Sequence, residues 1–78
     1  MTGANSLNNF YQSVKFENPT LAEMMGDDIV TVALYGLSAD KTPAQPAAER
    51  LRRQAFEFDL PEIQRRVLDN ALTEMGYS

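Results

Sequence analysis

The segment GDDIVTVALYG, residues 26–36, is the most apolar stretch of the chain and begins with two adjacent aspartates. Its β-branched residues favour a strand, but every other segment has helical spacing, so a single strand would leave its backbone groups without partners. We predict a helix from about Asp28 to Tyr35, capped by Asp27 or Asp28, ended by Gly36 and buried in the middle of a bundle. An intermolecular strand is the alternative, because periodicity does not decide short apolar runs.

On both sides of this segment, apolar residues recur every three to four positions, as they do on one face of a helix. We predict four more helices, over about residues 7–14, 19–25, 43–56 and 60–75. The fold class is therefore all-α: a small compact bundle of four or five short helices. We expect one domain over residues 1–78, with residues 1–5 flexible.

Glycines mark the predicted helix ends. Gly26, Gly36 and Gly76 each follow a run with helical spacing, at the position where a left-handed residue ends many helices. Leu37 and Tyr77 follow two of these glycines and supply the apolar contact that often accompanies such an end.

Capping residues mark the predicted helix starts. Asn18 precedes a proline, which is favoured in the first helical position. Thr42 and Asp59 are each followed three residues later by Gln or Glu, the spacing of a capping box. The first helix would be capped by Asn5 or Ser6.

The predicted core is taken from the apolar stripes of these helices. It comprises Phe10, Tyr11, Val14, Leu21, Met25, Val32, Leu34, Leu51, Ala55, Ile63, Val67 and Leu72.

Composition excludes several classes of protein. The 78 residues include no cysteine and no histidine, which excludes disulfides and the ordinary zinc sites. The net charge of −4 has the wrong sign for a general nucleic-acid footprint. No apolar stretch is long enough to span a bilayer, and the first ten residues do not resemble a signal peptide. We therefore expect a cytoplasmic protein without metal or cofactor.

The sequence Gly26-Asp27-Asp28 resembles the Gly-Asp-Asp turn with which viral RNA polymerases hold magnesium. The resemblance covers three residues, whereas such a polymerase needs a much larger domain. Two carboxylates are also favoured at a helix N-terminus by the helix dipole alone. We predict capping aspartates, and no metal site.

The segment from Thr20 to Ser38 resembles the helix-turn-helix of bacterial repressors. Ala22 matches the small residue of the first helix, Gly26 matches the turn, and Val32 matches the buried position of the second helix. The segment departs from the family because its second helix has no arginine, lysine, asparagine or glutamine to read base edges. The resemblance implies a helix-turn-helix-like pair in the bundle.

All five arginines lie between residues 50 and 66. Most have an acidic residue four positions away on a predicted helix, which favours a self-paired solvated surface. The predicted pairs are Glu49–Arg53, Arg53–Glu57, Glu62–Arg66 and Arg65–Asp69. Arg50 and Arg52 have no such partner and could bind carboxylates of another protein, because arginine is enriched at binding hot spots.

The chain contains more large apolar residues than so short a protein buries easily. The candidates for exposure are Phe16, Met24, Phe56, Phe58, Leu68 and Tyr77. Without Cys or His, a serine or threonine nucleophile would need lysine as its base, and neither Lys15 nor Lys41 has an evident pocket. We therefore predict that the chain is not an enzyme.

The leading hypothesis is a small protein-binding protein, acting as an adaptor, inhibitor or accessory subunit, with a homodimer and a phage or mobile-element origin both conceivable. The predicted partner-binding residues are Arg50, Arg52, Phe56, Phe58, Arg65 and Arg66. The alternative is a helix-turn-helix transcriptional regulator that uses the same arginines for DNA phosphates. A structural component of a larger assembly is a third hypothesis.

Overall fold

Four α-helices and one short 3-10 helix make up most of the computed structural model, which describes the backbone of residues 2–77 and the side chains of residues 5–77. They are α1 (Thr2–Glu17), α2 (Pro19–Tyr35), the 3-10 helix Thr42–Ala44, α3 (Gln45–Glu57) and α4 (Glu62–Glu74). The prediction of a small all-α bundle is confirmed, and the apolar segment that begins at Gly26 is helical. No helix among the described residues is long and apolar enough to cross a membrane.

Helix α2 is continuous where the sequence predicted two helices and a turn. Its start is as predicted, because the Asn18 side chain accepts a hydrogen bond from the backbone N–H of Leu21 at 3.1 Å and Pro19 takes the first helical position. Gly26, however, lies in the helix interior, where packing against neighbouring helices outweighs its weak helix propensity. The predicted helix end at Gly26, the helix-turn-helix turn there and the capping role of Asp27 and Asp28 are therefore wrong.

Helices α3 and α4 end in the same hydrogen-bonded motif. After α4, the backbone N–H of Tyr77 donates to the Leu72 carbonyl and the backbone N–H of Gly76 donates to the Thr73 carbonyl. Gly76 has a φ of +96°. This is the left-handed Schellman end that the sequence predicted. After α3, the left-handed residue is Asp59, at φ +59°, which the sequence analysis assigned instead to the start of the next helix.

The predicted left-handed helix end at Gly36 is also wrong. Gly36 ends α2 in the right-handed conformation, with φ −61° and ψ −25°, so its backbone does not require glycine. Its small size matters instead, because an added Cβ would collide with Cε of Met75 and lie 3.2 Å from the backbone oxygens of Val32 and Ala33. Gly36 thus allows the end of α2 to approach the end of α4.

The predicted capping residues of the other helices are wrong. Helix α1 begins at Thr2, before the predicted caps, and neither α3 nor α4 has a side-chain capping bond. Instead, Asp40 accepts a hydrogen bond from the backbone N–H of Thr42 at 3.0 Å. Hydrogen bonding to the Thr42 side chain, and then to its backbone, lowers the pKa of Asp40. Flexibility of residues 1–5 stays a prediction, because helical backbone does not test it and Met1 lies outside the described residues.

The helices form a closed ring of neighbours around one core. Helix α1 packs against α4 and α2, and α3 completes the ring between α2 and α4. The Cα radius of gyration of 11.2 Å matches the ~11.5 Å expected for a compact chain of this length. Eight of the predicted core residues are buried, namely Phe10, Val14, Leu21, Met25, Val32, Leu51, Ala55 and Leu72.

The other four predicted core residues are only partly buried or are exposed. Tyr11 and Val67 are partly buried at the core margin, but Leu34 and Ile63 are exposed. Ile63 lies in the first turn of α4, at the rim of a groove that it lines together with Phe10 and Ser13 of α1. Leu34 is exposed because α2 has neighbours on only part of its circumference.

Candidate protein-binding surfaces

The two adjacent aspartates of α2 lie in different environments. Asp28 is buried, with 12% of its side chain exposed, and it accepts hydrogen bonds from Nε and Nη2 of Arg50 at 3.0 and 2.8 Å. This contact joins α2 to α3 and raises the pKa of Arg50. Helical spacing gives Arg50 no partner on its own helix, and its carboxylate partner lies 22 residues away, on α2.

Arg52 is also paired across helices. Its Nε lies 2.9 Å from Oδ1 of Asp69, so the carboxylate comes from α4, where helical spacing along α3 could not indicate it. Asp69 is the residue that the helical spacing had assigned to Arg65, whose guanidinium lies 5.8 Å from the ring centroid of Phe56 instead. The predicted pair between Glu62 and Arg66 forms at 2.8 Å.

The six predicted partner-binding residues do not form one surface. Arg52, Phe56 and Arg65 line a cleft of about 230 Å³ between α3 and α4, which we call the α3–α4 cleft. Arg50 is turned toward α2, and Phe58 lies in the turn after α3. Arg66 is bonded within its own helix. Three of the six predicted residues therefore share the α3–α4 cleft. Three of the four arginines in the set, Arg50, Arg52 and Arg66, are already paired with carboxylates of this chain.

The predicted surplus of apolar side chains is mostly confirmed. Phe16, Met24, Phe56 and Phe58 are exposed, whereas Leu68 and Tyr77 are buried. Leu68 lies in the middle of α4, where it belongs to the core cluster and borders α3. Exposed large apolar side chains indicate an interaction site when they are contiguous, whereas scattered ones are normal on protein surfaces.

Tyr77 is buried because the chain end folds back onto α2. Its hydroxyl donates to the backbone carbonyl of Val32 at 2.8 Å. That carbonyl needs another donor because the N–H of Gly36 bonds to Ala33 at the tightened end of α2. Burial raises the pKa of the Tyr77 phenol.

The outer side of α2 carries a straight line of exposed residues that the sequence analysis missed. We call it the α2 stripe, and it consists of Glu23, Asp27, Val30, Leu34 and Leu37. The exposed fractions of its three apolar members are 65%, 72% and 80%. Leu37 follows the helix in the turn, where right-handed Gly36 continues the helical direction.

The spacing along the α2 stripe is four, three, four and three residues, which is the heptad spacing of helix-to-helix contacts. The same spacing could be read from the sequence. It was hidden by the interpretation of Gly26 as a helix end, which divided the stripe between two predicted helices.

A groove runs beside the apolar half of the α2 stripe, between α1 and α2. Leu7 and Asn8 line it from α1, and Ile29, Val30, Ala33 and Leu34 line it from α2. Its volume is about 410 Å³, and no lining residue is charged. The α1–α2 groove shares Val30 and Leu34 with the apolar half of the α2 stripe, and together they form one continuous uncharged surface.

The described residues contain no group of three or more His, Cys, Asp or Glu side chains that could hold a metal ion. Asp27 and Asp28 do not converge, because one is exposed and the other is bonded to Arg50. Comparison of the chain with protein-family models, curated proteins and solved structures finds no match.

Proposed function

We propose that this chain is a small non-enzymatic protein that acts by binding another protein, as an adaptor, inhibitor or accessory subunit. The observation that carries the proposal is the uncharged surface formed by the apolar half of the α2 stripe and the α1–α2 groove. Contiguous exposed apolar surface of this kind marks interaction sites in small proteins. Covering a valine or leucine side chain contributes about 1.5–3 kcal/mol, so three such residues are a substantial anchor.

The α3–α4 cleft is the second candidate surface. Phe56 is an exposed aromatic anchor beside two arginines, a combination enriched at binding hot spots. It ranks below the α2 surface because Arg52 already bonds Asp69. A partner would have to compete with that carboxylate.

Non-enzymatic action is proposed because the chain has no cysteine or histidine and its Asp27–Asp28 pair does not converge. A cytoplasmic location, the absence of a cofactor, a homodimer and a phage or mobile-element origin remain predictions. The DNA-binding alternative loses support because α2 continues through the position required for the turn. Three of its proposed phosphate-binding arginines, Arg50, Arg52 and Arg66, already bond carboxylates.

The proposal is tested by affinity capture of the tagged full chain in extract of its source cell, with quantitative mass spectrometry. We expect a specific protein partner with the wild type and its loss with Leu34→Asp. Ile63→Asp is the matched control, because Ile63 is as exposed as Leu34 but lies on α4. Both variants should unfold at the same urea concentration as the wild type.

Two results would contradict the proposal. One is the recovery of no specific partner by the wild type. The other is a gel shift with duplex DNA at micromolar protein that weakens steeply with added salt, as counterion release requires.

A further inference from the structure

We infer that the α2 stripe binds one amphipathic helix of a different protein, whose apolar seam is continued by lysine or arginine residues. This inference rests on the proposed protein-binding function and names the chemistry of the partner. It is carried by the order of residues along the stripe: two carboxylates, Glu23 and Asp27, followed by three apolar side chains.

The occupant is a helix because of the geometry of the stripe. Its heptad spacing presents knobs that fit between the side chains of another helix, and the α1–α2 groove beside it is a furrow between two helices. An extended segment would need a free strand edge for its backbone, and none of residues 2–77 is in a strand. The stripe spans fourteen steps along the chain, about 21 Å at 1.5 Å per residue, so two heptads of partner helix cover it.

The partner's charge follows from the acidic half of the stripe. Glu23 and Asp27 are exposed, and neither carboxylate has an ion pair within the part of the chain that the structure describes. A helix that covers the apolar half extends over these carboxylates. Lysine or arginine at its facing positions would pair with them, whereas acidic residues would repel them.

A second copy of this chain is a poor occupant of the whole stripe for the same reason. In an antiparallel pair centred on Val30, Asp27 would face Leu34 and Glu23 would face Leu37, which removes carboxylates from water against apolar side chains. In a parallel pair the same carboxylates would face each other. Charge complementarity therefore favours a different protein.

The test uses a yeast-displayed library of 18-residue helices as the probe. Three consecutive seam positions vary among Leu, Ile, Val and Ala, and all other positions, including those that continue the seam at either end, vary among Lys, Glu, Gln and Ser. The library is selected against the full-length protein and against Glu23→Lys/Asp27→Lys. Glu49→Lys/Glu57→Lys is the matched control, because it makes the same change in net charge at exposed positions of α3.

We expect the wild type to enrich helices with lysine next to one end of the seam, and to bind them about tenfold more tightly than the same helices with glutamate there. The Glu23→Lys/Asp27→Lys variant should enrich glutamate instead, and the control should keep the lysine preference. Leu34→Asp should abolish binding of the selected helices.

The inference is overturned if no helix is enriched, if the enriched helices show no charge preference, or if the control reverses the preference equally well. It is also overturned if sedimentation equilibrium shows a dimer that Leu34→Asp dissociates. Capture from the source cell separates the two proposals. A partner lost with Leu34→Asp but kept with Glu23→Lys/Asp27→Lys contradicts this inference and leaves the protein-binding proposal standing.

Discussion

The inner and outer sides of α2 can be compared directly, because two pairs of identical neighbours divide between them. Met25 is fully buried while Met24 is half exposed, and Asp28 is bonded to Arg50 while Asp27 faces solvent. The same side chain therefore has a different role one residue further along. What decides the role is the 100° rotation per residue of a helix that has neighbours on one side only.

The methionine pair gives the largest expected effect. Met25→Ala should lower the free energy of unfolding by about 2–5 kcal/mol, because it opens a cavity in the core. Met24→Ala should change it by less than about 0.5 kcal/mol. Urea unfolding followed by circular dichroism measures the free energy of unfolding of both variants. Equal losses of stability would contradict the placement of Met25 on the buried side of α2 and Met24 on the exposed side.

The contact of Tyr77 with the inner side of α2 gives the next effect. Tyr77→Phe removes the hydrogen bond to the Val32 carbonyl and should cost about 1 kcal/mol at neutral pH. Because burial raises the pKa of this phenol, its contribution to stability is complete below the pKa of an unfolded tyrosine, about 10, and is lost as pH rises through the folded value.

Urea unfolding between pH 7 and pH 11 checks this prediction. The wild type should lose stability above about pH 10 more steeply than Tyr77→Phe, since all other titrating groups are common to both proteins. Parallel pH profiles would show that Tyr77 is not buried against α2.

Gly26 lies at the border between the two sides and gives the smallest effect. An added Cβ would meet only Oη of Tyr11, at 3.9 Å, an ordinary contact. Gly26→Ala should therefore raise the stability by about 0.5–1 kcal/mol, because alanine favours a helix interior. A loss of stability on thermal or urea unfolding would indicate a break in α2 at this residue and would remove the continuous α2 stripe.

The parts of the fold that the sequence predicted correctly depend on residues close together in the chain. Asn18 caps a helix through a backbone group three residues away, and Gly76 reaches back to Thr73. Asp59 shows the limit of such signals. It fits both the end of one helix and the start of the next, and the left-handed backbone in the structure selects the first.

The parts of the candidate site that the sequence missed depend on distant residues. Arg50 was taken for unpaired because its partner lies on another helix, and Tyr77 was taken for exposed because the Val32 carbonyl that it contacts is 45 residues away. The α2 stripe was missed for a different reason: its spacing is local, but Gly26 was read as a stop when packing makes it part of the helix.

The amino-acid sequence alone indicates an all-α chain with its major helical segments, an excess of apolar side chains, and no thiol or imidazole chemistry. These properties follow from composition, short-range hydrogen bonding and periodicity. The packing of the helices is needed to establish that Asp28 is bonded to Arg50 while Asp27 faces solvent, and that Leu34 is exposed while Tyr77 is buried. Burial depends on a residue's neighbours, and in a ring of four helices most neighbours come from elsewhere in the chain.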